Sequence, residues 1–163
     1  MADSDEVPGE DLERAHANAL RLLAHRARSV AEMRARLKRH GLRSSVVEAE
    51  IQRLTQAGLL NDEEFAREKT GSLLRRGMGP RGVLSRISSS RVEAASARAA
   101  VDDAVEAAGG EEALAREALD RKYGDLSGAD KRTRAKAANY LVRRGFSSRV
   151  AAKVSRVYSD DHS

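Results

Sequence analysis

A short apolar pattern that ends in a turn residue recurs along the chain, and it constrains the fold more than any other feature. Each copy has an apolar residue, a turn residue four positions later, a second apolar residue, and then a trio spaced i, i+4 and i+7. The copies begin at Leu37, Ile87 and Leu141, at intervals of about fifty residues. Because the spacing of each trio marks one face of an α-helix, the sequence predicts one helical unit used three times.

Two copies are complete and the middle one is degraded. The turn position holds Gly41 in the first copy and Gly145 in the third, whereas Arg91 occupies it in the second. The trios that follow are Val47, Ile51 and Leu54, then Ala97, Val101 and Ala104, then Val150, Val154 and Val157. Repeats of this kind stack into long faces rather than deep pockets, which favours binding over catalysis.

The composition fits a set of small helical packing contacts. The chain has 163 residues, of which 40% are apolar but only 3% are aromatic, with no tryptophan. No segment shows the sustained alternation of β-branched residues that is typical of strands. We therefore predict an all-α protein, an elongated array of three tandem three-helix repeats.

Helix boundaries follow from capping residues and glycines. Ser29 with Glu32, and Ser45 with Glu48, have the spacing of capping boxes, and Asn61 is a predicted N-cap. The helices are expected near 11–27, 29–41, 45–57, 61–76, 81–88, 91–108, 111–123, 131–144 and 147–158. The predicted organisation is a disordered acidic tail at 1–10, repeats at 11–58, 59–108 and 109–158, and a disordered tail at 159–163.

Positive charge is concentrated in three stretches of the chain, one in each predicted repeat. The net charge is +5, and Lys and Arg predominate in 14–43, 67–91 and 131–156, whereas 92–120 is acidic. Clustered basic residues are typical of proteins that contact phosphates or an acidic protein surface. Solvated helix faces are the alternative explanation for any single stretch, but three basic stretches in register with three repeats favour a binding function.

Several classes of site are not indicated by the sequence. It has no cysteine, and His16, His25, His40 and His162 lack the spacing of a metal-binding helix. No phosphate-binding glycine motif and no nucleophile motif is present, so we expect no enzyme activity and no cofactor. The polar N-terminus and the absence of a long apolar run predict a cytoplasmic protein without membrane contact.

Four segments together resemble the RecX family of regulators of the bacterial RecA recombinase. They are Arg28-Ser29-x2-Glu32-Met33-x3-Leu37-x3-Gly41, Leu60-Asn61-Asp62-x2-Phe65-Ala66, Arg75-x-Gly77-x-Gly79-Pro80-x2-Val83 and Leu141-x2-Arg144-Gly145-Phe146. The central segments are the most specific. The chain departs from the family pattern at Met33, where leucine is usual, at Arg91, where glycine is usual, and in its few aromatic residues.

The resemblance implies a negative regulator that binds the RecA–DNA filament and acts in DNA repair and the SOS response. A protein of this family is expected to inhibit the ATPase, strand-exchange and co-protease activities of RecA, without enzyme activity or a cofactor of its own. Its partners would be RecA and the single- or double-stranded DNA within the filament. We expect a monomer.

The candidate contact residues are basic side chains of these three stretches, which we expect to be exposed. They are Arg34, Lys38, Arg39, Arg75, Arg76, Arg81, Arg143, Arg144 and Arg149. Their expected role is charge pairing with phosphates or carboxylates. We assign a packing role to Leu37, Val47, Ile51, Leu60, Phe65, Leu141 and Phe146.

Two other functions are compatible with the sequence. A three-helix unit with a turn glycine is also typical of helix-turn-helix proteins that bind DNA directly, without a recombinase. A scaffold protein with no nucleic-acid contact is the second alternative.

Overall fold

A computed structural model describes residues 7–157, and within this range the chain is helical outside its turns, with no strand. The helices are α1 Gly9–His25, α2 Val30–Arg39, α3 Ser44–Gln56, α4 Asp62–Arg75, α5 Pro80–Ser88, α6 Ala94–Ala107, α7 Glu111–Tyr123, α8 Lys131–Arg143 and α9 Ser148–Val157. The prediction of an all-α repeated helical fold is confirmed. Among the described residues, no helix has the length and hydropathy of a membrane span.

The two predicted tails fall largely outside the described residues, which exclude 1–6 and 158–163. Gly9 and Glu10, expected in the first tail, instead lie in the first turn of α1. Carboxylates there are favoured by the positive end of the helix dipole, so Glu10 and Asp11 support this early start.

Two of the predicted helix caps are present. The Ser29 hydroxyl accepts a hydrogen bond from Glu32 N at 3.1 Å, while Glu32 Oε2 accepts one from Ser29 N at 3.4 Å, which completes a capping box. Asn61 Oδ1 accepts from Glu64 N at 3.0 Å and caps α4. The local sequence signals were sufficient because each cap joins residues three positions apart.

The second predicted capping box, at Ser45 and Glu48, is wrong. Helix α3 begins at Ser44, and its N-cap, Arg43, makes no side-chain cap hydrogen bond. The Glu48 carboxylate instead accepts from Arg34 Nε at 2.6 Å and from Arg34 Nη2 at 3.2 Å. A bidentate bond to a guanidinium is stronger than a single bond to a backbone amide, which explains the difference.

The degraded repeat keeps the turn geometry of the complete ones. Arg91 has φ 56°, in the left-handed region, as do Gly41 at 77° and Gly145 at 95°. Helix α6 therefore begins at Ala94, three residues later than the sequence suggested. A non-glycine residue at this position carries local backbone strain, because its Cβ crowds the neighbouring carbonyl.

The described residues pack as two compact units. The first comprises the described chain up to Phe65 together with Ser90–Val92, and its helices α1, α2 and α3 pack on one another. Its core consists of Ala15, Ala19, Met33, Leu37, Leu42, Val46, Val47, Ile51, Leu54 and Leu60. The Ser29 hydroxyl also donates to Ser90 O at 2.6 Å, which fastens that segment to the start of α2.

The second unit contains Ala66–Ser89 and the described residues from Glu93 onward. Helix α5 packs on α6, α6 on α7, and α7, α8 and α9 pack on one another. All residues predicted to pack in either unit are buried, namely Leu37, Val47, Ile51, Leu60, Phe65, Leu141 and Phe146. The subdivision into repeats at 11–58, 59–108 and 109–158 stays a prediction, because the compact units divide the chain at other residues.

Candidate nucleic-acid and filament interface

Two turns that are distant in sequence meet in the second unit. Gly79 N, before α5, donates to Arg144 O at 2.7 Å, and Arg81 N donates to Gly145 O at 3.1 Å. A Cβ placed on Gly79 would lie 2.4 Å from the Gly145 carbonyl carbon, and one on Gly145 would lie 2.4 Å from Gly82 N. The glycines thus permit a backbone contact that any side chain would prevent.

The Arg144 side chain closes the C-terminus of α4. Its Nη2 donates to Arg76 O at 2.6 Å and its Nε to Gly77 O at 3.2 Å. Carbonyls at the end of a helix lack partners within the helix, and a cation there is also favoured by the dipole. Arg144 is therefore half-buried and holds the two turns together, whereas the sequence analysis expected an exposed side chain.

Six arginines lie in the segments joined here or donate to them, and we call them the basic junction: Arg75, Arg76, Arg81, Arg121, Arg143 and Arg144. Arg121, on α7, donates through Nη1 to Arg75 O and through Nη2 to Glu117 Oε1 at 2.7 Å. All six except Arg144 are exposed. A cluster of like charges held by backbone contacts produces a positive potential that attracts polyanions.

Arg121 is not among the contact residues predicted from the sequence. It lies in a mixed-charge helix, where its i,i+4 pairing with Glu117 gave no local sign of a role in binding. Its connection to Arg75 O joins residues 46 positions apart, which repeat spacing does not predict. The remaining five junction residues were all among the predicted candidates.

Arg149 is exposed in the first turn of α9. A hydrogen bond from Lys153 lowers the pKa of the nearby Glu112 carboxyl, and the charges of Lys153, Arg116 and Arg149 act in the same direction. Arg149 therefore already has one carboxylate within electrostatic range.

In the first unit the three candidates lie on α2 with different surroundings. Arg34 is half-buried, and its bidentate bond to Glu48 raises the pKa of the guanidinium and lowers that of the carboxyl. Its donors are thus already engaged, contrary to the expectation of a free, exposed side chain. Lys38 and Arg39 are exposed near the end of the helix.

The histidines described by the structure do not form a metal site. Within residues 7–157, no group of three or more His, Asp or Glu side chains is arranged to hold a metal ion. His16 Nδ1 lies 2.7 Å from Glu50 Oε1, so this ring is engaged in a pair that joins α1 to α3. His162 lies outside the described residues.

Comparisons with known proteins agree on one family. Residues 15–54 match the model of the first three-helix domain of RecX, and residues 110–154 match that of the third. The chain is 36% identical over 159 residues to the regulatory protein RecX of Mycobacterium sp. (strain JLS), a match that covers 95% of this chain and 86% of that protein. It is also 36% identical over 140 residues to the regulatory protein RecX of Syntrophotalea carbinolica, covering 83% and 90% of the two chains.

A solved structure has the same fold. The crystal structure of RecX from Lactobacillus salivarius superposes with a TM-score of 0.75 at 18% identity, covering 93% of this chain and 98% of that one. Both relatives are named as regulatory proteins. From these matches, this chain belongs to the RecX family of regulatory proteins.

Proposed function

We propose that this protein is a negative regulator of the RecA recombinase that binds the RecA–DNA filament. It would inhibit the ATPase, strand-exchange and co-protease activities of RecA in DNA repair and the SOS response. The basic junction of the second unit is the observation that carries the proposal, together with membership of the RecX family. A filament of DNA and protein presents regularly spaced phosphates, which are the natural partners of such a cluster.

The junction is suited to this task because its arginines are positioned before binding. The backbone bonds from Gly79 to Arg144 and from Arg81 to Gly145 fix the two turns that carry them. A preformed cluster loses less conformational freedom on binding than arginines on flexible loops. Guanidinium groups also bind phosphate or carboxylate oxygens through two parallel hydrogen bonds, which a lysine does not provide.

The test measures the DNA-dependent ATPase of the cognate recombinase with substoichiometric amounts of this protein. The variant Arg81→Gln/Arg143→Gln removes two exposed junction charges, and Arg98→Gln/Arg116→Gln removes two exposed charges elsewhere in the same unit. We expect inhibition by the wild type and the control, and weaker inhibition by the junction variant. The dependence of filament binding on log salt should also fall by about two for two lost phosphate contacts. Equal inhibition by both variants would exclude the junction from the interface.

One observation favours the alternative of direct DNA binding without a recombinase. Helix α9, the last helix of its set, carries Arg149, Lys153 and Arg156 and no acidic residue, whereas α3 and α6 are mixed. A gel-shift assay on naked duplex and on preformed filament separates the two functions. Sequence-specific binding to naked duplex that is as tight as binding to filament would support the alternative and contradict the regulator proposal.

A further inference from the structure

The first unit contains a pocket lined mainly by arginines, none of which belongs to the basic junction. The pocket has a volume of about 220 Å³ and is lined by Arg26, Arg28, Glu32, Ala35, Arg36 and Arg39, which we call the arginine pocket. One face of α2 carries Glu32, Ala35, Arg36 and Arg39, and the turn before α2 carries Arg26 and Arg28. Only Arg39 among them was expected from the sequence to bind a partner.

Arg28 is the buried residue among those that line this pocket. Its residue is 8% exposed, and its Nε donates to Leu22 O at 3.3 Å, the one hydrogen bond that this side chain makes to the described residues. Its two terminal amino groups are thus available to a molecule that enters the pocket. Burial, then the charges of Arg26 and Arg36, lower the pKa of Arg28, against the opposite effect of Glu32.

The single acid of the pocket does not balance these charges. Glu32 Oε2 accepts from Arg26 Nη1 at 3.0 Å and from Ser29 N in the capping box at 3.4 Å. Four guanidinium groups and one carboxylate line the pocket, so three positive charges remain uncompensated among its lining residues. Among the four arginines only Arg28 is buried, whereas Arg26, Arg36 and Arg39 are exposed. Because buried charge is unfavourable unless it is paired, an anion in the pocket would supply a partner for Arg28.

We propose that the arginine pocket binds a backbone phosphate of nucleic acid. A backbone phosphodiester has two non-bridging oxygens that share one negative charge, and each of them can accept hydrogen bonds from a guanidinium group. The volume is below the roughly 300–1,000 Å³ of small-molecule sites, which suits a phosphate but not a whole nucleotide. The choice of nucleic acid rests on the proposed function, because a filament regulator meets DNA phosphates at its binding surface.

The first test is binding of a fluorescent oligo-dT strand without recombinase, followed by anisotropy between 50 and 200 mM salt. Arg36→Gln/Arg39→Gln removes two exposed pocket charges, and Arg43→Gln/Arg53→Gln removes two exposed charges of the same unit outside the pocket. Because the pocket is proposed to hold one phosphate, losing that contact should lower the log–log salt slope by about 0.7. The affinity loss over this range then becomes about 2.6-fold smaller in the pocket variant. A pocket variant with the slope of the wild type or of the control would overturn the proposal.

The second test observes Arg28 directly, through the NMR resonance of its Nε–Hε group in the full-length protein. We expect saturable shifts on titration with oligo-dT, and much weaker ones with inorganic phosphate or a glutamate-rich peptide at equal charge. Shifts with inorganic phosphate but not oligo-dT would identify an adventitious ion only. Shifts with the acidic peptide as strong as those with oligo-dT would indicate a protein partner, and either result overturns the proposal.

These tests contain no recombinase, so their failure is distinct from failure of the proposed function. Loss of ATPase inhibition in the assay above, with the expected slopes and Arg28 shifts here, would contradict the regulator proposal and leave the phosphate pocket supported. If the protein inhibits the recombinase ATPase, but the pocket variant keeps the wild-type salt slope and the Arg28 resonance does not shift, only the pocket proposal is contradicted.

Discussion

At the scale of single residues, the first unit contains a carboxylate that depends on one partner. Glu50 is fully buried, and its Oε1 lies 2.7 Å from His16 Nδ1. Its other oxygen, Oε2, has no hydrogen-bond partner among the described residues. Because a buried acceptor without a partner is unfavourable, the pair fixes how α1 sits on α3.

Removing the histidine should therefore destabilise the protein. We expect His16→Ala to lower the free energy of unfolding by about 1–3 kcal/mol, since the Glu50 carboxylate is then left buried without its hydrogen bond. Urea unfolding followed by circular dichroism measures the change, and His25→Ala, at an exposed position, is the control. A value for His16→Ala within error of the control would show that the pair contributes nothing to stability.

A substitution at the left-handed turn of Arg91 should instead increase the stability of the protein. Glycine has no steric cost at φ 56°, so Arg91→Gly should raise the stability by about 0.5–1 kcal/mol, after allowing for the greater freedom of glycine in the unfolded chain. The same substitution at Arg98, inside α6, should lower it by about 1 kcal/mol. Chemical denaturation of both variants provides the comparison, and destabilisation by Arg91→Gly would mean that the arginine side chain has a stabilising contact there.

At the scale of elements, the glycines of the recurring turns differ in what surrounds them. A Cβ on Gly41 would meet nothing within 4 Å, whereas one on Gly145 would lie 2.4 Å from Gly82 N and 2.7 Å from Gly82 Cα. Both glycines have positive φ, so the conformational cost of a side chain is common to them. The difference in stability loss when each glycine is replaced therefore measures the contribution of the close approach between the two turns in the second unit.

Alanine at the two positions should thus have unequal effects. We expect Gly41→Ala to cost about 1 kcal/mol, from the left-handed backbone alone. Gly145→Ala should cost at least about 2 kcal/mol more, because the contact through Gly79 and Gly82 must open, and severe steric conflict is among the few causes of large losses. Thermal and urea unfolding measure both, and equal losses would imply that the turns separate without cost.

Capping residues and apolar spacing predicted the helices, but they did not predict contacts between residues distant in sequence. The caps at Ser29 and Asn61 join residues three positions apart, so spacing alone identified them. The partner of Glu48 lies on another helix, and Arg144 bonds carbonyls 67 and 68 positions away. A sequence pattern records which side chains are charged, whereas packing decides which of them remain available to bind.

At the scale of the whole molecule, the chain carries two groups of arginines in two compact units. Five of the six residues of the basic junction were already candidates from the sequence, whereas only Arg39 of the arginine pocket was. The pocket was not predicted from the sequence because Arg28 directly precedes the Ser29 capping box. Its place in the family motif does not indicate a role in charge pairing. Backbone hydrogen bonds position the turns of the basic junction, and helix α2 positions most residues of the arginine pocket, so neither group is carried by a loop alone.

The two proposed anion sites, the basic junction and the arginine pocket, predict a dependence on the length of the bound DNA. A strand that engages both sites gains affinity because the second contact is intramolecular, whereas a shorter strand engages only one. We expect wild-type affinity for oligo-dT to rise steeply above a threshold length in a series from about 5 to 40 nucleotides. That threshold should disappear in Arg36→Gln/Arg39→Gln and in Arg81→Gln/Arg143→Gln alike, since each variant retains only one site.

Fluorescence anisotropy at constant salt measures the series, with Arg53→Gln/Arg98→Gln as a control that removes one exposed charge from each unit. The control should keep the threshold, because neither residue belongs to the pocket or the junction. A threshold that persists in both test variants would mean that the two sites do not engage one strand. Its loss in only one of them would assign DNA binding to that unit and leave the other unit to contact protein.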